Sequence, residues 1–230
     1  MCLLPSTYSL GSTSDFVDIL RDNPRRGMLA SLDVSSLFTS VPLEKTIDIL
    51  VKYAYHHQDI DAPEIPETTM KAMLRLCTKE APFKSPQGDM YLQVDGIAMG
   101  SPLGVLFAQA YMAAVEEEVL TVDKPYVYAR YVDDIYVDIE SEDALAALKG
   151  RLEKESGLKF TFESSVNNKI NFLDVAVDSS GSETKTGVYR KPTDAGKCLH
   201  GQGECPTRYK ESVIRACQQS YQMLFILEFG

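Results

Sequence analysis

Apolar positions along the chain switch between two periods. Leu43, Ile47, Leu50, Val51 and Ala54 recur at helical spacing over residues 43–55, with Pro42 suited to the first turn. Residues 66–79 repeat the pattern with Met70, Met73, Leu74 and Cys77, a stripe expected to pack into the core. A long helix is predicted from about Leu103 to Leu120 through Leu103, Leu106, Phe107, Ala110 and Ala114. Ser141 has the chemistry of an N-cap, with Glu142 and Asp143 in the first turn, Leu145, Leu148 and Leu152 on the apolar face and Gly157 as the stop. A last amphipathic helix is predicted over about Thr207–Ile226 through Val213, Ile214, Cys217, Tyr221 and Leu224.

Strand signals lie between these helices. Met28-Leu29-Ala30 with Leu32 reads as a strand, and Phe83–Gln93 as a hairpin around Ser85–Asp89. Tyr126-Val127-Tyr128 and Ile135-Tyr136-Val137 read as the two strands of a second hairpin. Leu158, Phe160 and Phe162 alternate with Lys159, Thr161 and Glu163, a strand with one buried face. Asn167-Asn168 turns the chain into a strand from Ile170 to Val177, and the Ser179–Ser182 turn leads to another over Gly187–Lys191. This order predicts an α+β fold, an antiparallel sheet backed by helices on one face.

Composition adds bounds. At 230 residues with 44% hydrophobic content, the chain can bury a full core. The longest apolar run, Pro102–Val115, is too short for a bilayer and holds Gln109. Met1-Cys2-Leu3-Leu4-Pro5 lacks the basic and apolar regions of a secretory signal. Five cysteines at scattered spacing suggest reduced thiols in an intracellular protein. Cys198, His200, Cys205 and Cys217 match no common zinc finger. The net charge of −10 runs against nucleic-acid binding, which draws affinity from neutralised phosphates. Glu116-Glu117-Glu118 and the Glu140–Asp143 run are expected to be solvated helix faces.

The candidate chemistry lies in Tyr131-Val132-Asp133-Asp134. Two carboxylates at a hairpin tip could be no more than a polar turn. Asp33, at another strand end, supplies a third acid. Carboxylates delivered from separate strand ends to one point suit two divalent cations and phosphoryl or nucleotidyl transfer. Asp33 and Asp133 are the expected bridging ligands. Asp134 is the conditional partner, because neighbours on a strand point to opposite faces and only a turn lets both acids converge.

Asp33-Val34-Ser35-Ser36-Leu37-Phe38, then Met99-Gly100-Ser101-Pro102, then Tyr131-Val132-Asp133-Asp134 resemble motifs A, B and C of the reverse transcriptase palm. Leu32–Pro42, Gly96–Leu103, Ala129–Asp134, Ile170–Val175, Val188–Thr193 and Cys205–Lys210 extend the resemblance to the Penelope-like retroelement reverse transcriptases. It implies an RNA-directed DNA polymerase using two Mg2+ ions (Mn2+ as a substitute), an RNA template, a DNA primer and deoxynucleoside triphosphates. It also implies a nuclear place of action and no membrane.

The resemblance carries roles to individual residues. The Val34 carbonyl becomes an extra metal ligand. Phe38 takes the steric-gate position; its plain alternative is a core Phe at a strand end. Gly100, Ser101 and Pro102 fall at the turn before the helix that contacts the template and nascent pair, where glycine permits close backbone approach. Lys169 falls where telomerase and related polymerases carry a motif D lysine, a candidate general acid for pyrophosphate; an exposed turn lysine is the alternative. Lys159 is a weaker rival, taken to lie mid-strand. Arg190, Lys191, Arg208 and Lys210, beside Tyr189 and Tyr209, suit phosphate contacts to the duplex, or are surface charge.

Family members carry a basic fingers region before motif A, and many end in a GIY-YIG endonuclease. The expected division is therefore a fingers or linker remnant at 1–27, the palm at 28–192 and a partial thumb at 193–230, in a truncated copy. A nucleic-acid or protein binding remnant without activity is the competing reading. An RNA-dependent RNA polymerase is disfavoured by Tyr131, Val132 and Phe38.

Overall fold

A computed structural model describes residues 8–57, 61–79, 82–93, 95–98, 100–181, 183–193 and 203–215. In chain order the elements are α1 (Thr13–Asp22), β1 (Met28–Ser35), α2 (Leu37–Ser40), α3 (Leu43–His56) and α4 (Glu67–Lys79). Then come β2 (Pro82–Lys84), β3 (Met90–Leu92), α5 (Gly104–Val119), β4 (Val127–Tyr131), β5 (Asp134–Ile139) and α6 (Glu142–Ser156). The last strands are β6 (Lys159–Ser164), β7 (Lys169–Phe172), β8 (Val175–Asp178) and β9 (Lys185–Val188). The segment at 207–215 is helical.

The central sheet has the order β4-β5-β1-β6, and its named pairings are antiparallel. Alternation along β1 sends Ala30, Leu32 and Val34 to a core built with Ile47 of α3, Phe107 and Met112 of α5, and Leu148 and Leu152 of α6. Leu29 points the other way, into a second core with Leu10, Phe16, Ala129, Tyr136 and Phe172. There α1 and the β7–β8 pair cover the sheet. Phe16 packs on Tyr136 and Phe172 with ring centroids 4.8 and 4.7 Å away. Each such pair adds about 0.5–1.5 kcal/mol beyond area burial. The fold class is the expected one, with a second layer on the face away from α3, α5 and α6. Residues 8–22, set apart from the sequence as a remnant, share this second core. Tyr8–Leu10 also runs along the outer edge of β4: the Arg130 amide donates to Tyr8 O at 2.8 Å and the Leu10 amide to Arg130 O at 2.7 Å.

Local signals set the ends of the elements. Ser12 and Asp15 form a capping box on α1, and Ser141 accepts from the Ala144 amide at 3.2 Å on α6. Asp138, buried on β5, accepts from the Arg26 and Gly27 amides at 2.8 and 2.7 Å and anchors the entry to β1.

Three expectations are corrected. The run Ile170–Val177 is two strands, because Leu173 takes φ 52° and reverses the chain without any glycine or asparagine to announce it. The next strand is Lys185–Val188 rather than Gly187–Lys191. The α4 stripe is only partly core: Met70 and Leu74 pack inward, but Met73 and Cys77 are exposed. Residues 216–226 of the predicted last helix, and Met99, Cys198, His200 and Cys217, lie outside the described residues.

Candidate active site

Asp33 and Asp134 are Cα partners in the β1–β5 ladder. Opposite residues in such a ladder project to the same face. Asp133 occupies the two-residue loop between β4 and β5, and its carbonyl accepts from the Val34 amide at 3.1 Å. This bond ties the loop to the strand that carries Asp33. Desolvation, then the Asp133 charge, raise the pKa of Asp33 above its usual value, although the residue as a whole is exposed. Half-buried Asp134 is raised by desolvation, then by Asp133 and Asp33, with Lys191 opposing. The expected trio is brought together, and Asp134, the conditional member, is the one in direct register with Asp33.

The loop itself is strained. Val132 has φ 57°, the left-handed region that a β-branched residue rarely adopts. A positive φ at the first of two loop residues is the pattern of a type II′ turn, where glycine is usual. The Val132 carbonyl accepts from Arg130 Nη1 at 3.1 Å. Arg130 is fully buried and pairs with Glu116 on α5, which is also fully buried. Glu116 is therefore not on the solvated face expected for residues 116–118; Glu117 and Glu118 are exposed. Helical spacing could have revealed this, since Glu116 follows Met112 by four residues on the core side.

Phe38 is half-buried on α2, which starts two residues after β1, and packs against the helix-side core. Its carbonyl accepts from the Ile97 amide at 2.6 Å. A β-carbon on Gly104 would lie 3.6 Å from Phe38 Cδ1, so the start of α5 sits against the ring. Gly96 (φ 68°) passes so close to α2 that a β-carbon would stand 2.5 Å from Thr39 O. Exposed Gly100 has φ 86° and open space around it, while the Ser101 hydroxyl accepts from the Leu103 amide at 3.3 Å. Pro102 falls in the turn just ahead of α5.

The cations are distributed differently from expectation. The Lys169 ammonium pairs with Asp178 at 2.7 Å, well below whose usual value the carboxyl titrates, chiefly through that contact. Next to it, Ser179 O accepts from Arg25 Nη1 at 3.0 Å, and the Ser165 amide donates to Leu29 O at 2.8 Å. These contacts put Lys169 at the start of β1, whereas Asp33 lies four residues on from Leu29, about 13 Å at strand rise. Lys169 is thus not brought to the acids. Lys159 is not mid-strand: it opens β6 opposite Ser35, on the face that Asp33 shares. Lys191 follows β9 and its charge acts on Asp134. Arg190 is exposed. Arg208 lies over the Tyr209 ring at 4.9 Å, and Lys210 Nζ donates to Gly203 O at 2.7 Å.

The sequence profile of the family described as reverse transcriptase (RNA-dependent DNA polymerase) matches residues 3–168, most of the chain. The chain belongs to the reverse transcriptase family. Its fold is similar to telomerase from Candida albicans, solved in complex with a TWJ fragment of telomeric RNA (TM-score 0.61, 12% identity, 78% of this chain and 36% of that one). It is also similar to apo telomerase from Candida tropicalis (TM-score 0.58, 13% identity, 78% and 36%). A form of that telomerase truncated from its C-terminal domain matches as well (TM-score 0.57, 15% identity, 79% and 41%). At these identities the likeness is one of fold. This reverse transcriptase chain spans less than half the length of each of these telomerases. No curated protein matches it in sequence.

Among the described residues of this reverse transcriptase, no group of three or more His, Cys, Asp or Glu side chains, the acid trio included, is placed to hold a metal ion as it stands. The donor set still suits a hard cation. Asp33, Asp133 and Asp134 offer oxygens only, from β1, the β4–β5 loop and the start of β5, and their mutual repulsion is what a divalent ion would relieve. Mg2+ keeps several waters and takes one or two carboxylates plus substrate phosphates, so an open site is compatible with it. No helix among the described residues is long and apolar enough to cross a membrane.

Proposed function

We propose that the chain is the palm of an RNA-directed DNA polymerase from a Penelope-like retroelement, adding deoxynucleotides to a primer 3′-hydroxyl on an RNA template. The observation that carries this reading is the meeting of Asp33, Asp133 and Asp134 at one end of the β1–β5 ladder. The three carboxylates, with the Val34 carbonyl, would hold Mg2+ or Mn2+. Two such ions, when bound, supply activation of the attacking hydroxyl and neutralisation of the leaving pyrophosphate.

The remaining residues bind, orient and exclude. Phe38, held by the Ile97 amide and the start of α5, presents a ring where a 2′-hydroxyl would clash. Gly100, with open space around its α-carbon, lets the nascent pair approach the backbone. Ser101 orients the turn through the Leu103 amide, and Pro102 leads into α5. Lys191 and Arg190 would meet phosphates beside the acids. Arg208 and Lys210, on the helix at 207–215 that would open a thumb, would meet the duplex further on. The palm would occupy 28–192, with residues 8–22 packed onto its second core. Its place of action would be the nucleus, where its DNA product is used.

Primer extension on an RNA template with Mg2+ tests the reading. Deoxynucleotide addition by the chain, abolished in Asp133→Asn, supports it. Template binding that is equal in the wild type and Asp133→Asn, with no extension by either, would favour a binding remnant instead.

A further inference from the structure

The acid-bearing loop is held from two sides. From β1, the Val34 amide binds the Asp133 carbonyl. From the helix-facing side of β4, Arg130 Nη1 donates to the Val132 carbonyl. Arg130 reaches it from a fully buried position, with Nε and Nη2 donating to the two carboxylate oxygens of Glu116. The Tyr128 hydroxyl donates to Glu116 Oε1 at 3.0 Å, and burial, then the Glu116 charge, push its pKa well above the usual value. The Arg130 backbone is fixed as well, between Tyr8 and Leu10.

We propose that Glu116 and Arg130 are positioning residues for nucleotidyl transfer: the buried pair aims the guanidinium at the Val132 carbonyl and so keeps Asp133 and Asp134 beside Asp33. This rests on the reading of those acids as the metal-binding set. Two arguments support it. A buried ion pair is a poor source of stability, since apolar side chains of similar volume often serve as well or better. Its value here lies in geometry. Val132 stays left-handed only while its surroundings over-determine it. The fork of arginine meets this need: two nitrogens satisfy Glu116 and a third is left for the loop. Lysine, a point charge, cannot divide itself between the two.

The test uses the full chain, with two readings. Hydrogen–deuterium exchange reports the amides of residues 131–135, and electron paramagnetic resonance reports Mn2+ affinity. The main variant is Glu116→Leu/Tyr128→Phe/Arg130→Met, which removes charge and hydroxyl together and leaves no lone buried ion. With folding retained, exchange in 131–135 and the Mn2+ Kd should each rise about tenfold, the loss of one charge-assisted hydrogen bond. Exchange in α6 should not change. Loop exchange within about twofold of wild type would overturn the proposal, since no such bond was then lost. If the triple variant does not fold, Arg130→Lys gives the same comparison, and unchanged loop exchange overturns the proposal there too. Mn2+ binding by wild type no tighter than by Asp33→Asn would sink the metal reading instead. Loop exchange would still decide the positioning role by itself.

Discussion

Asp33 stands directly across the β1–β5 ladder from Asp134, and both carboxylates titrate above their usual range. A carboxylate whose folded pKa is raised binds its proton more tightly in the native state. The metal-free fold therefore gains stability as pH falls from the raised value towards the usual carboxylate value of 3.8, and loses it as pH rises through that window. A divalent ion competes with those protons. The rise in Tm produced by Mg2+ at pH 7 should shrink as pH falls into that window, measured by thermal melting with and without the ion. A Mg2+ shift independent of pH would mean that the ion binds elsewhere.

Removing one charge from the trio should stabilise the metal-free chain. Asp133→Asn relieves repulsion on both neighbours, and its Tm in EDTA should rise by about 2 °C. The same variant should lose the Mg2+ response and all primer extension. A fall in Tm in EDTA would show that the Asp133 carboxylate has a structural partner.

Gly96 has no room for a side chain against Thr39 and sits at φ 68°. Gly96→Ala must push the 96–98 segment away from α2 and strain the bond from the Ile97 amide to Phe38 O. The expected loss is about 1–3 kcal/mol in denaturant unfolding. Gly100→Ala meets no neighbour and should cost less, so equal losses would contradict the close approach.

The lysines separate by position. Lys159→Ala and Lys191→Ala should lower the rate of single-nucleotide addition by about tenfold or more, a range usual for a lost phosphate or proton contact. Lys169→Ala should leave that rate within about twofold, because its ammonium is engaged with Asp178 away from the acids. A large rate loss in Lys169→Ala alone would restore the role expected for it from the sequence.

Phe38→Val should relax discrimination against ribonucleotides by about tenfold or more, the usual return for shape selection in a pocket. Unchanged ratios of kcat/KM for the two sugars would remove Phe38 from the gate.

Much of the frame was legible because its signals are local. Period-3.6 stripes placed α3, α5 and α6 to within a residue or two. Ser141 and Gly157 marked the ends of α6 through cap chemistry. The acids were legible as residues on strand ends, and only pairing register could show that Asp134 rather than Asp133 faces Asp33. Long-range partners were not legible. Glu116 reads as one of three acidic neighbours until Arg130 is folded over it. Lys169 and Lys159 look alike in sequence, and the direction of β6 along β1 decides which lies near Asp33. The reversal at Leu173 was hidden because an apolar residue occupies a conformation that sequence assigns to glycine or asparagine.

The short segment Tyr8–Leu10 has a practical consequence for anyone expressing pieces of this protein. A chain begun at residue 28 would strip that segment and α1 together. The donors and acceptors along β4 would stand open, and Leu29, Tyr136 and Phe172 would lose their cover. Bare strand margins above a greasy floor invite self-association. Soluble shortened versions should therefore retain everything from Tyr8 onward.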